Sequence, residues 1–207
     1  MKVMLVNGSP HEHGCTDAAL REVASALNAD GIDAEIFWIG NTPIGGCIAC
    51  GGCSKAGKCV FGGSVNDFAE KAKDADGFVF GTPVHYAAAS GNMTAFLGRL
   101  LFSAPKETFC RKPAAVITSA RRAGTTAAYE QLLKYPGITE MPIVSSCYWN
   151  NVHGSKAEDV QQDEEGVRIM RVLGHNMAWL LRCIEAGKAA GVPNPRKEPL
   201  AKTNFIR

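Results

Sequence analysis

No stretch of the sequence approaches the roughly 18 consecutive apolar residues of a membrane-spanning helix, and Met1-Lys2-Val3-Met4-Leu5-Val6 is too short for a signal-peptide core. Charge of one sign is also lacking. A formal net charge of +2 gives no electrostatic basis for holding nucleic acid or an anionic membrane, so neither is expected as a partner. The loop after the first apolar run has neither the Walker spacing nor Gly-x-Gly-x-x-Gly, which disfavours nucleoside triphosphates and a primary dinucleotide fold. Internal repeats and low-complexity tracts are missing too. What is present is the composition of an ordinary globular protein, 46% hydrophobic and 20% charged over 207 residues, long enough for one core without disulfide support. A cytoplasmic location is the expectation. Eight cysteines then stand out, because four of them crowd between Cys47 and Cys59, and in a reducing compartment such clustering favours metal or redox chemistry over disulfides.

Short apolar runs alternate with helical periodicities along the chain. Strands are expected over Val3–Val6, Ala34–Ile39, Gly77–Phe80, Ala114–Thr118 and Ile143–Ser146. Helices are expected from an N-cap at Thr16 to Gly31, over Val65–Lys73, Asn92–Phe102 and Thr125–Leu133, and as one long element over Glu158–Gly187. Strands that are apolar throughout, each followed by a helix, imply a doubly wound, five-stranded parallel sheet with helices on both faces. The domain is expected to occupy residues 1–191, with a Cys-rich loop at 40–64 and an extended arm at 192–207. In such sheets ligands lie beyond the carboxyl ends of the strands, which directs attention to the loops after the first, third and fourth strands.

The first of these, Gly8-Ser9-Pro10-His11-Glu12-His13-Gly14-Cys15-Thr16, offers small residues, hydroxyls and a helix amino terminus, which together suit an anion such as a flavin monophosphate. The third, Gly81-Thr82-Pro83-Val84-His85-Tyr86, reads as a rigid turn that sets backbone polar groups beside an apolar surface. A flat heteroaromatic ring can use both. Thr118-Ser119-Ala120-Arg121-Arg122-Ala123-Gly124 places two arginines at the same edge, against a flavin's pyrimidine ring or a nicotinamide cofactor's phosphate. Tyr148 to Gly154 follows the last expected strand and suits a flavin cover, a substrate-cavity wall or a subunit contact.

Cys47, Cys50, Cys53 and Cys59 form Cys-x2-Cys-x2-Cys-x5-Cys, with intervening glycines that let the backbone wrap. Soft thiolates in so compact a run select an iron–sulfur cluster, with zinc and uncoordinated thiols as alternatives. Cys15, Cys110, Cys147 and Cys183 are dispersed and read mainly as small buried hydrophobes.

These segments resemble the NADPH-dependent FMN reductase and iron–sulfur flavoprotein group of the flavodoxin-like superfamily. The resemblance implies a flavodoxin-like fold and bound FMN. By position it assigns the phosphate to the Gly8-Ser9-Pro10 run with His11, Cys15 and Thr16, although His11 stands where the group often has Arg and Cys15 where it often has Asn. It assigns the isoalloxazine border to Pro83, Val84, His85 and Tyr86, and the flavin edge to Ser119, Arg121, Arg122 and Gly124; Gly98, in the following helix, replaces a usual Asp. The cysteine spacing is similar to the group's compact motif, which implies a [4Fe-4S] cluster on Cys47, Cys50, Cys53 and Cys59. The implied activity is hydride transfer from NAD(P)H through FMN to a quinone, flavin, azo compound or the cluster, in a homodimer or homotetramer. An electron carrier serving a ferredoxin-like protein is the second expectation, and a thiol sensor the third.

Overall fold

Alternate residues of a strand face opposite sides of a sheet, and β1 (Lys2–Asn7) buries both sets completely: Val3 and Leu5 on one side, Met4 and Val6 on the other. A strand with no polar face must lie between two layers. In the computed structural model, which describes residues 1–196, 198, 199, 201 and 203, those layers are helical. The elements run β1, α1 (Cys15–Ala29), β2 (Asp33–Trp38), α2 (Cys53–Ala56), α3 (Ser64–Lys71), β3 (Gly77–His85), β4 (Ala88–Ala89), α4 (Gly91–Ser103), β5 (Ala114–Ala120), α5 (Thr125–Ile138), β6 (Asn151–His153), α6 (Ala157–Val160) and α7 (Glu164–Ala189). The parallel strands are ordered β2-β1-β3-β5-β6, and β4 pairs antiparallel with the end of β3. That is the expected doubly wound sheet, whose strand order reverses between β1 and β3. Among the described residues no helix is long and apolar enough to cross a membrane. The arm expected at 192–207 falls partly outside the described residues.

On one face α1 and α7 set Leu20, Val23, Leu27, Met170, Leu173 and Met177 against Val3, Leu5, Val79 and Ile117. On the other, α3, α4 and α5 bring Phe68, Phe96, Leu97 and Leu132 onto Met4, Val6, Phe78, Phe80 and Val116. Each such side chain contributes about 1.5–3 kcal/mol on burial, so packing on the sheet outweighs local propensity in fixing these helices.

Four expectations are corrected. Thr16 is not the N-cap: α1 begins at Cys15, Gly14 occupies the cap, and the Thr16 hydroxyl is engaged instead with Ser119 Oγ at 2.8 Å. The third strand does not break at Gly81-Thr82-Pro83 but continues to His85, pairing Thr82 with Thr118 and Pro83 with Ser119. Pro83 is tolerated because β1 has already ended opposite Gly81, leaving β3 an open edge there. The fifth strand is Asn151–His153 rather than Ile143–Ser146, which forms only a single bridge from Ile143 to Ala114. Side chains displace the ladder here, since Ser146 Oγ bonds to Asn150 Oδ1 at 2.6 Å and Asn150 Nδ2 donates to Val116 O at 3.0 Å. The long last helix is divided into α6 and α7 because Asp163 caps α7, accepting from Gly166 N at 3.0 Å and from His153 N at 2.7 Å.

The ends of β1 and β3 come unusually close. Gly8 N donates to Gly81 O at 2.9 Å, and a Cβ built on Gly8 would stand 2.8 Å from that carbonyl and 2.7 Å from Met93 Sδ. Ser90, the N-cap of α4, donates its hydroxyl to Gly8 O at 2.9 Å and so fastens α4 to the same point. At the other end of the strands, Glu35 bridges Lys2 at 2.5 Å and Lys71 at 2.7 Å, and these hydrogen bonds, Lys2 first, hold its carboxyl below the ordinary range.

Gly8→Ala is expected to cost about 1–3 kcal/mol in urea unfolding, because the backbone of Gly81 must yield; an unchanged midpoint would show that the junction has slack. A carboxyl whose folded pKa is depressed contributes stability above its unfolded value, about 4.3, and loses it as pH falls through the folded value. The unfolded state then binds more protons, so stability rises with pH across that window. Glu35→Gln should therefore flatten the acid limb of the stability–pH profile, and because the same carboxylate holds the Lys2 ammonium above its ordinary value, it should also remove the stability lost as pH rises through the Lys2 transition.

Candidate functional site

The carboxyl ends of β1, β3, β5 and β6 enclose a cleft of about 560 Å³. It receives Ser9, His11, Cys15 and Thr16 from the first loop and the start of α1, Pro83 and Val84 from β3, Ser119 from β5 and Arg121 from the loop that follows it. A larger cavity, about 640 Å³, lies at the opposite, amino ends of the strands beside Met1, Asp76 and Pro113, where open α/β sheets do not place their ligands.

The first loop is built by side chains bonding to backbone. Asn7, fully buried, accepts from Ser9 N at 3.0 Å and donates to Glu12 O at 2.9 Å. Ser9 Oγ accepts from His11 N at 3.1 Å, and Trp38 at the end of β2 donates its indole N–H to Ser9 O at 2.8 Å. The loop is thus fixed from within and from the neighbouring strand. It delivers the chain to α1 with Gly14 as an N-cap that has no side-chain hydrogen bond, so the first-turn amides remain available to a ligand. A Cβ on Gly14 would stand 3.8 Å from Ser9 Oγ, and its absence keeps the cradle between them open. Burial, followed by the carboxylates of Asp159 and Glu158, pushes the Cys15 thiol up, so this residue brings no negative charge to an anion site.

The remaining expected flavin residues lie outside the lining. Pro10 sits in the loop behind Ser9. His85 and Tyr86 lie at the tip of the β3–β4 hairpin, where Tyr86 and Ala87 have φ of 50° and 57° and the Tyr86 side chain projects fully into solvent. Arg122 is exposed. Gly124 has φ 93°, and a Cβ there would meet Ala87 Cα at 2.7 Å, so this glycine seats the hairpin tip on the loop after β5. Of the fourth wall, Gly154 to Glu158, the sequence reading reached only Gly154, the last residue of the segment expected as a flavin cover or cavity wall, and missed Ser155 to Glu158 with Lys156. Reading Asn151–His153 as the strand would have exposed these residues as its carboxyl-end loop. Tyr148 and Trp149 pack edge to face at 4.6 Å on the surface and do not border the cleft. The residues present fit a flavin monophosphate: hydroxyls of Ser9 and Thr16 and a free helix amino terminus at one end, His11, Arg121 and Lys156 around it, and Pro83 and Val84 as an apolar wall.

A second, small pocket is bordered by Cys47, Cys50, Cys53 and Cys59 together with Ile48, Val60, Phe61, Arg99, Phe102 and Ser103. The chain wraps it with left-handed residues at Ala49, Gly51, Gly57, Gly62 and Gly63. Four soft donors on one pocket fit a thiolate-bound metal centre by their chemistry, although among the described residues no three metal-ligating side chains stand close enough to hold one ion. Of the dispersed cysteines, Cys110 is buried and Cys15 half-buried as small apolar groups, whereas Cys147 and Cys183 are exposed, on the loop before β6 and on the outer side of α7.

Two iron-sulfur flavoproteins of Methanocaldococcus jannaschii are similar to this chain. One is 26% identical over 195 residues, spanning 89% of this chain and all of that protein; the other is 27% identical over 185 residues, spanning 83% and 92%. Among solved structures, the complex of RosB with 8-demethyl-8-formylriboflavin-5'-phosphate superposes with a TM-score of 0.69 at 14% identity, over 100% of this chain and 92% of that one. A flavodoxin from the domain Archaea superposes with a TM-score of 0.58 at 15% identity, over 88% and 99%. The fold is flavodoxin-like. Residues 1–156, which carry β1 to β6 and every wall of the cleft up to Lys156, match the NADPH-dependent FMN reductase family, and the chain belongs to that family of FMN-binding flavin oxidoreductases.

Proposed function

We propose that the chain is an NAD(P)H-dependent FMN oxidoreductase of the flavin or quinone reductase type. In this reading it serves a small acceptor such as a quinone, free flavin or azo compound, and its four-cysteine loop holds a [4Fe-4S] cluster. The observation that carries the first part is the convergence of three strand-end loops on the uncapped amino terminus of α1. Ser9 and Thr16 donate their hydroxyl protons to the flavin phosphate, and the first-turn amides of α1 add further N–H donors with the favourable end of the helix dipole. Asn7 and Trp38 hold those donors in place beforehand, which spares the ordering cost on binding. Pro83 and Val84 exclude water from one side of the ring, and Arg121 and Lys156 attract anionic substrate groups to the mouth. Bound FMN would supply the hydride chemistry, accepting from NAD(P)H and passing electrons on.

Two relatives named as iron-sulfur flavoproteins support the cluster, as does the spacing of Cys47, Cys50, Cys53 and Cys59. A second reading, an electron carrier for a ferredoxin-like protein, is favoured by the exposure of Ile48, Phe61 and Phe102 around the cysteine pocket, since apolar surface beside a redox centre suits a protein partner. Assembly as a homodimer or homotetramer in the cytoplasm belongs to the same proposal.

Steady-state NAD(P)H oxidation with a soluble quinone separates the readings: an enzyme turns over repeatedly, a carrier does not. Ser9→Ala combined with Thr16→Val removes two hydrogen bonds to a charged phosphate, each about 1.5–3 kcal/mol, and should weaken FMN at least about 100-fold in a flavin-fluorescence titration. Unchanged affinity would place the phosphate elsewhere. Anaerobically purified protein is expected to contain about four irons and four acid-labile sulfides per chain, the stoichiometry of a [4Fe–4S] centre; flavin without iron would leave the cysteines as thiols.

A further inference from the structure

Arg99 is 8% exposed, and a guanidinium is charged at every accessible pH. Buried charge needs a counter-charge or a full set of polar partners. Among the described residues no carboxylate forms an ion pair with it. Its polar partners are Cys59 Sγ, to which Nε donates at 3.3 Å, and Gly62 O, to which a terminal nitrogen donates at 2.8 Å; the Phe61 ring lies 5.9 Å from the guanidinium carbon. The segment that wraps the pocket, residues 40–64, contains no Asp or Glu and adds two further cations, Lys55 and Lys58. Among the described residues, Cys59 sulfur is the one ionisable group hydrogen-bonded to the guanidinium. Helix α4 fixes the arrangement, because Arg99, Phe102 and Ser103 fall at i, i+3 and i+4 and face the pocket together.

We infer that Arg99 is the fixed counter-charge of the four-cysteine pocket, a positioning residue that orients Cys59 sulfur through its hydrogen bond and makes the pocket selective for a metal centre of net negative charge. Four thiolates around a divalent ion carry two net negative charges, and four thiolates on a cluster carry at least as many. A permanent cation hydrogen-bonded to one sulfur stabilises either. On a cluster it stabilises the reduced, more negative state most and so raises the reduction potential. The cluster form of this inference rests on the reading of the cysteines given above, whereas its metal-ion form does not.

The test compares the full-length protein with Arg99→Met, which keeps length and apolar packing but removes the charge, and Arg99→Lys, which keeps the charge but loses the planar fork. Anaerobic Co2+ titration of the metal-free protein, read in the sulfur-to-cobalt charge-transfer bands, is expected to give about tenfold weaker binding in Arg99→Met and partial recovery in Arg99→Lys. In iron–sulfur-loaded protein the midpoint potential of Arg99→Met should fall by about 59 mV, the one-electron equivalent of tenfold. Circular dichroism and FMN content guard against a general folding defect, which would alter both together. A cluster that forms in the wild-type chain with the same potential in Arg99→Met overturns the role of Arg99 and leaves the cluster standing. Absence of a cluster together with weaker Co2+ binding in Arg99→Met does the reverse. Wild-type protein that takes up neither iron and sulfide nor Co2+ overturns both.

Discussion

The approach of Gly8 to Gly81 governs the rest of the molecule. Two strand ends can share a backbone hydrogen bond at 2.9 Å with a helix seated on each because neither residue has a side chain. A Cβ on Gly81 would stand 2.9 Å from Thr16 Cγ2, so the same vacancy lets the first turn of α1 rest on the sheet. Thr16 is thereby brought to Ser119 on β5, and Ser90 on α4 to the carbonyl of Gly8. Four elements meet at a point that has no room for a methyl group, and the cleft opens immediately beyond it. Binding geometry and core packing are in this sense one constraint, since the donors facing the ligand are positioned by the contacts that close the sheet.

Sequence alone made the sheet legible because residues such as Val3, Leu5, Phe78, Phe80 and Val116 are apolar on both faces, a pattern with few structural solutions. It also located the cleft, since Ser9, Thr16, Val84, Ser119 and Arg121 lie where a doubly wound sheet puts its ligand. It failed where side chains overrode the backbone pattern. Ile143–Ser146 has the composition of a strand, but Ser146 and Asn150 take over the hydrogen bonds beside β5 and shift pairing to Asn151–His153. The hairpin tip at Tyr86-Ala87 carries no glycine or asparagine, so nothing in its composition announced two consecutive left-handed residues. Lys156 was lost with the strand that precedes it. Arg99 lies in the helix expected over Asn92–Phe102 and has no role assigned from the sequence, because burial, and not residue type, is what makes its charge informative.

The cleft and the cysteine pocket follow different physical logics. The cleft is preorganised: its polar groups are fixed by Asn7, Trp38 and Ser90 and present neutral donors with modest positive charge. The cysteine loop is glycine-rich and wrapped, and its four thiols border one small pocket. The two sites occupy the same domain, joined through α4, whose N-cap Ser90 fastens the β1–β3 junction and whose later turn carries Arg99.

Trp38 gives the loop after β1 an optical handle. Its indole is bonded directly to the carbonyl of Ser9, whereas Trp149 and Trp179 are exposed to solvent. Emission from a half-buried indole is distinguishable by colour from that of two wet ones, so displacement of the loop registers in the protein's own fluorescence. No label is needed, and a flavin drawing energy from that one indole would mark its own arrival.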